Sequence, residues 1–173
     1  MIARLVIALF VSVSLHVPAW AQGSVEYAVK AAYLYKFGAF VDWPPRRFAD
    51  AASPLVVCVV GRDPFGARLD RVTTGQTSGG RPVVVRRLET IAADTACHIA
   101  FLGGGRLQSH AEAARALRGA PVLTVGDSDD APTIVRFVIV SNRVRFVIDQ
   151  RAAAEAGLPI SSKLLNLAVG AGR

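Results

Sequence analysis

Two hydrophobic periods divide the chain. Over "SVEYAVKAAYLYKFGAFVDWPP", Val25, Val29, Ala32, Tyr33, Phe37, Phe40 and Val41 recur at helical spacing. The pattern predicts one helix with Ser24 as its cap and Pro44-Pro45 as its stop. Past Pro54 the pattern shortens. "PLVVCVVG" predicts a buried strand at 55–60, and "GRDPFGARLDRV" a helix with Asp63 as cap and Pro64 in its first turn. "GGRPVVVRRL" gives a second strand and 98–102 a third. "RLQSHAEAARALRG" gives a helix closed by Gly119, and "APVLTVGD" a fourth strand. "TTGQTSGG" is a polar loop. The alternation implies an α/β fold: one compact domain with a Rossmann-like mixed sheet and helices on both of its faces.

The end of the chain changes period again. "TIVRFVIVSNRVRFVID" predicts a β-hairpin turning at Ser141-Asn142, with Val140 opposite Arg143 and Val138 opposite Arg145. Cross-strand neighbours share a face. One face then carries Val135, Phe137, Ile139, Val144, Phe146 and Ile148. The other carries Arg136, Arg143 and Arg145 among valines. That basic face reads either as a contact for an acidic partner or ligand, or as a solvated face that protects an edge by charge. Beyond it, Gly157 ends a short helix and Ser161 caps the next, where Leu164, Leu165 and Ala168 form an apolar stripe.

The first residues, "MIARLVIALFVSVSLHVPAWAQG", follow a different logic. One charge, Arg4, precedes an apolar run from Leu5 to about Val17, and Ala19-Trp20-Ala21 ends it in a small-x-small pattern. This reads as a signal peptide over residues 1–21, too short to be a membrane span, leaving a single domain over 22–173. The expected location is the periplasm.

Charge narrows the partners. The formal net charge is +7, and only Lys30, Lys36 and Lys163 among the twenty basic residues are lysines. The arginines are scattered, so nucleic acid is not an expected partner. Arginine excess favours an acidic protein face, an anionic lipid surface or a phosphorylated small molecule.

Chemistry is sparse. Cys58 and Cys97 lie on two predicted strands, and an oxidising compartment favours a disulfide between them over two inert core thiols. Neither a CxxC nor a histidine cluster is present, so no metal site is expected, and His98 and His110 read as packing or surface residues. "GGGRLQ" follows a strand and precedes a helix. It lacks the third glycine of a dinucleotide turn, but Gly103, Gly104, Gly105 and Arg106 can offer backbone amides to an anion. Asp127, Asp129 and Asp130 in "GDSDDAP" read as an exposed turn. There is no GxSxG, HExxH or Walker motif; an enzyme is not expected, nor is a cofactor.

Five blocks in order, "KAAYLYKFGAFVDWP", "CVVGRDPFG", "CHIAFLG", "VLTVGD" and "NRVRFVIDQRAAAEAGLPISSKLLNLA", resemble the YfiR family of bacterial periplasmic proteins. The resemblance implies a compact Rossmann-like α/β domain, often dimeric, so a homodimer is among the expected assemblies. It further implies a regulator that binds and restrains the periplasmic sensor region of an inner-membrane diguanylate cyclase or other sensor protein. An outer-membrane lipoprotein would act as counter-partner. Cys58 and Cys97 match one cysteine pair of the family's best-known member, whose second pair has no counterpart here. Val147 stands where the family often has an acidic residue. The alternative is a periplasmic protein that binds a nucleotide or another anion.

Overall fold

The computed structural model describes residues 19–170. Most of the predicted signal segment, including Arg4, lies outside the described residues. Seven strands form: β1 (Leu55–Gly61), β2 (Thr77–Ser78), β3 (Arg81–Leu88), β4 (Ile99–Gly104), β5 (Leu123–Gly126), β6 (Val135–Val140) and β7 (Arg143–Ile148). They make one sheet in the order β2-β3-β1-β4-β5-β6-β7. Pairing is parallel from β3 through β1, β4 and β5 to β6, and antiparallel at the two edges. The expected mixed α/β sheet is what the chain builds. The loop "TTGQTSGG" differs from expectation because β2 lies within it. Ser78 is buried there and its hydroxyl donates to the Tyr35 carbonyl at 2.8 Å.

Strand alternation divides the core in two. Leu55, Val57, Val59, Ile99, Phe101, Leu123, Val125, Val135, Phe137, Phe146 and Ile148 face one way. On that side they meet α1 (Ala19–Lys36) and α2 (Ala67–Thr73). The short helices α4 (Gln150–Glu155) and α5 (Ser162–Leu165), with the turn between them, add Ala153, Ala156, Leu158 and Leu164 to the same cluster. Cys58, Val60, Ala100 and Leu102 face the other way, against Ala113, Ala114 and Leu117 from α3 (His110–Ala116) and the turn after it. α3 opens with a capping box, Ser109 accepting from the Glu112 amide while Glu112 accepts from the Ser109 amide.

Helix boundaries depart from the sequence reading in α1, α2 and α3, which begins only at His110 and not at Arg106. α1 continues N-terminally through Ser24 to Ala19, so Ser24 is an internal residue and not a cap. Ala19, Ala21 and Gln22 favour that extension, although Gly23 within it does not. At its other end α1 stops at Lys36, well short of the prolines. Phe37–Phe40 tighten into a 3-10 turn, because Gly38 packs so closely on Leu55 that a Cβ there would lie 2.6 Å from its Cδ2. Val41 is then extended and bridges Ile160, tying this turn to the far end of the chain. α2 starts at Ala67, one turn later than expected. Asp63 caps a turn instead, accepting from the Phe65 and Gly66 amides at 2.8 and 3.0 Å.

Candidate functional site

The hairpin register is the predicted one, with Val140 opposite Arg143, Val138 opposite Arg145 and Arg136 opposite Val147. Ser141 and Asn142 both take positive φ, 49° and 59°, as a two-residue turn between twisted strands requires. The three arginines do not act as one group. Arg136 sits near the root and is held by Asp129. Arg143 and Arg145 sit near the tip, exposed, with no ion pair among the described residues. The apolar face also divides along its length. Val135, Phe137, Phe146 and Ile148 are buried, but Ile139 is 51% exposed and Val144 half-buried, because the tip overhangs the body of the domain. Ile139 is therefore surface, against expectation.

The larger correction concerns α1, which carries two apolar stripes on opposite sides. The stripe that meets the sheet runs through Tyr27, Lys30, Ala31 and Leu34. The stripe that spacing picks out faces outward: Val25 is 65% exposed and Val29 38%, with Ala32 and Tyr33 only partly covered. A groove of about 420 Å³ separates Val25, Val29 and Tyr33 from Ile139 and Val144 of the hairpin, and Arg143 and Arg145 line it too. On the other flank of the same stripe a second groove, about 730 Å³, is bounded by Arg68, Arg71 and Val72 of α2 and by Lys36. Val25 and Val29 thus form a ridge between two basic-rimmed grooves.

Lys30 interrupts the apolar pattern of the inner stripe. Only 4% of its side chain is exposed, yet it lies in the inner stripe. The ammonium is met by Asp127, just past β5, at 2.8 Å and by Glu26 at 2.6 Å, and it lies 4.4 Å from the Tyr27 ring centre. Burial alone would pull the Lys30 pKa down, but the hydrogen bonds it donates to Asp127 and Glu26 outweigh that and hold the group above its ordinary value. The Tyr27 hydroxyl also donates to Asp127, at 2.9 Å; burial first, then that carboxylate, push its pKa up. Asp127 is accordingly not an exposed turn residue, as the sequence suggested. Asp129 and Asp130 are exposed as expected, beside Arg136 and His110 respectively.

At the C-terminal ends of β1 and β4, where an open α/β sheet offers its usual ligand crevice, main chain meets main chain. The Arg62 amide donates to the Gly104 carbonyl at 2.8 Å, and a Cβ at Gly103 would strike the Arg62 carbonyl oxygen at 1.9 Å. Gly104, at φ +60°, lies under the His110 ring. The Gly105 amide is spent on the Gln108 carbonyl at 2.8 Å, and the Arg106 side of the turn leads into a helix already capped by its own glutamate. The glycines thus serve a close approach of two loops.

Behind this, Cys58 and Cys97 are joined in a disulfide, with Cα atoms 5.9 Å apart. His98, next to it, is buried and stacked on Phe48 at 4.3 Å. Its Nδ1 accepts from the Val56 amide at 3.0 Å, which leaves the proton on Nε2 to be donated to the Arg47 carbonyl at 3.0 Å. Burial, aided by the Arg47 and Arg81 charges, holds the imidazole below its ordinary pKa, so it is packed as the neutral form.

These features define an α/β domain whose exposed chemistry includes an apolar ridge with cationic rims. Among the described residues no group of three or more His, Cys, Asp or Glu is placed to hold a metal ion, and no helix is long and apolar enough to cross a membrane. The chain belongs to the YfiR/HmsC-like family, whose model matches residues 27–169. Proteins of that family are periplasmic regulators of cyclic-di-GMP signalling. No curated protein matches the chain.

Proposed function

We propose that this protein is a periplasmic regulator that binds and restrains the periplasmic sensor region of an inner-membrane signalling protein, a diguanylate cyclase. Family membership supports the class of protein. The observation that carries the reading to this chain is the exposed arginine couple, Arg143 and Arg145, without an ion pair among the described residues and beside apolar surface at the hairpin tip. Charges of one sign around exposed apolar groups suit a protein contact better than solvation alone. An outer-membrane lipoprotein would compete for the regulator. The nucleotide or anion alternative keeps only the basic hairpin face as a site, because backbone bridges the crevice at the glycine turn. Export fits the geometry: cleavage after Ala21 would trim α1 ahead of Tyr27, the first of its described side chains to pack on the core.

A photo-crosslinking residue in place of Arg145, expressed in the periplasm, tests the reading. It should capture an inner-membrane protein with a cytoplasmic diguanylate cyclase output, and deleting the regulator should raise cellular cyclic-di-GMP. Unchanged cyclic-di-GMP with no membrane protein captured would sink the proposal.

A further inference from the structure

Resting on the regulator reading, we propose that the outer stripe of α1 is the docking surface for an amphipathic helix whose apolar stripe is flanked by carboxylates. Val25, Val29, Ala32 and Lys36 follow at steps of four, three and four, which puts them on one line along the helix. Val25 and Val29 are exposed, and Ala28 and Ala32 keep the surface low between them, so that a second helix can approach closely. The two grooves flanking this line would receive the side chains of such a helix, with Val72 at the far wall of one and Ile139 and Val144 at the far wall of the other. An amphipathic helix laid into an apolar groove is a recurrent mode of recognition.

Charge selects the occupant. Lys36, Arg68 and Arg71 line one groove, Arg143 and Arg145 the other. Glu26 is the one carboxylate among the lining residues of either groove, and it is engaged with Lys30. Both rims being basic, any two-fold pairing of this face with a second copy sets cation against cation. A ridge of small valines between grooves is also unlike the protruding aromatic and leucine side chains that enter a lipid surface. An acid-flanked helix satisfies apolar and charged parts together.

The test uses the protein purified from the periplasm and a designed peptide helix with leucines along one stripe and glutamates on both sides. Amide shifts should appear at Val25, Val29, Val72, Ile139 and Val144, and a peptide with lysine for every glutamate should not bind. Val25→Glu with Val29→Glu should keep the melting temperature and weaken binding at least about tenfold, the loss of one central contact. Val25→Lys with Val29→Lys should weaken it less. Equal binding of both peptides, or shifts confined to another face, overturns the proposal. So does a wild-type dimer that the glutamate variant dissociates, or binding of anionic phospholipid vesicles through these valines without binding of the peptide. A crosslinked sensor protein that binds the glutamate variant as tightly as wild type would remove the α1 surface and leave the regulator reading intact. If the peptide maps to α1 but no membrane signalling protein is captured, the surface stands and the regulator reading falls.

Discussion

Removing the Lys30 ammonium would leave the Asp127 carboxylate, 17% exposed, without its main counter-charge. Lys30→Met is expected to lower stability by about 3 kcal/mol, the low end for breaking a buried pair, since Asp127 keeps some water. Combining it with Asp127→Leu should recover most of that loss, and urea unfolding of both variants checks it. His98 makes a second residue-scale prediction. The unfolded chain takes up a proton near the ordinary histidine value of about 6.5, whereas the folded imidazole resists it because Nδ1 already accepts from the Val56 amide. Its contribution is therefore complete above that value and shrinks as pH falls from there toward the lower folded-state pKa. Thermal melting should drop as pH falls below about 6.5, and His98→Asn, whose amide oxygen can accept the same bond, should flatten that slope. Neither role was legible in sequence. A lone lysine among apolar residues looks like a break in a stripe, and only the fold supplies the aspartate that permits its burial.

At the scale of elements, the hairpin was readable to the residue, because a side-chain period of two and a two-residue turn leave one register. α1 was readable as a helix but not in its orientation, since two apolar stripes give periodicity two answers. Sheet order was likewise hidden: β1 sits between β3 and β4, and nothing local in sequence encodes that. The cysteine pair was inferred from compartment and strand placement, and the bridge now joins β1 to the residue pair that leads into β4. Chain-entropy reasoning for a separation of 39 residues gives a loss of about 4 kcal/mol when the bridge is removed. Cys58→Ser with Cys97→Ser should shift the urea midpoint accordingly, and native wild-type protein should show no thiol to a labelling reagent. An unchanged midpoint would mean the bridge is incidental to stability.

For the whole molecule, the charge-reversal pair Arg143→Glu with Arg145→Glu separates folding from regulation. Both side chains are exposed and unpaired among the described residues, so stability should change by less than about 0.5 kcal/mol. Binding to the captured sensor should weaken and lose its sensitivity to salt, and cells carrying the variant should resemble the deletion in cyclic-di-GMP. Intact-mass measurement of the periplasmic protein should place its first residue at Gln22. Retention of Met1 in a membrane fraction would contradict export by cleavage.

The bridge between Val41 and Ile160, with Ser161 donating to the Phe40 carbonyl at 2.9 Å, fastens the start of the domain to its end. α1 and the turn after it likewise lie on Phe146 of β7, through Tyr33 and Phe37 respectively. A chain delivered N-terminus first, from a ribosome or through a translocation pore, therefore presents its opening helix long before the strands and turns that support it. Contacts of such wide sequence separation form late. The domain has to stay open until β7 and the stretch around Ile160 arrive, and nascent chains halted before β7 should remain protease-sensitive throughout.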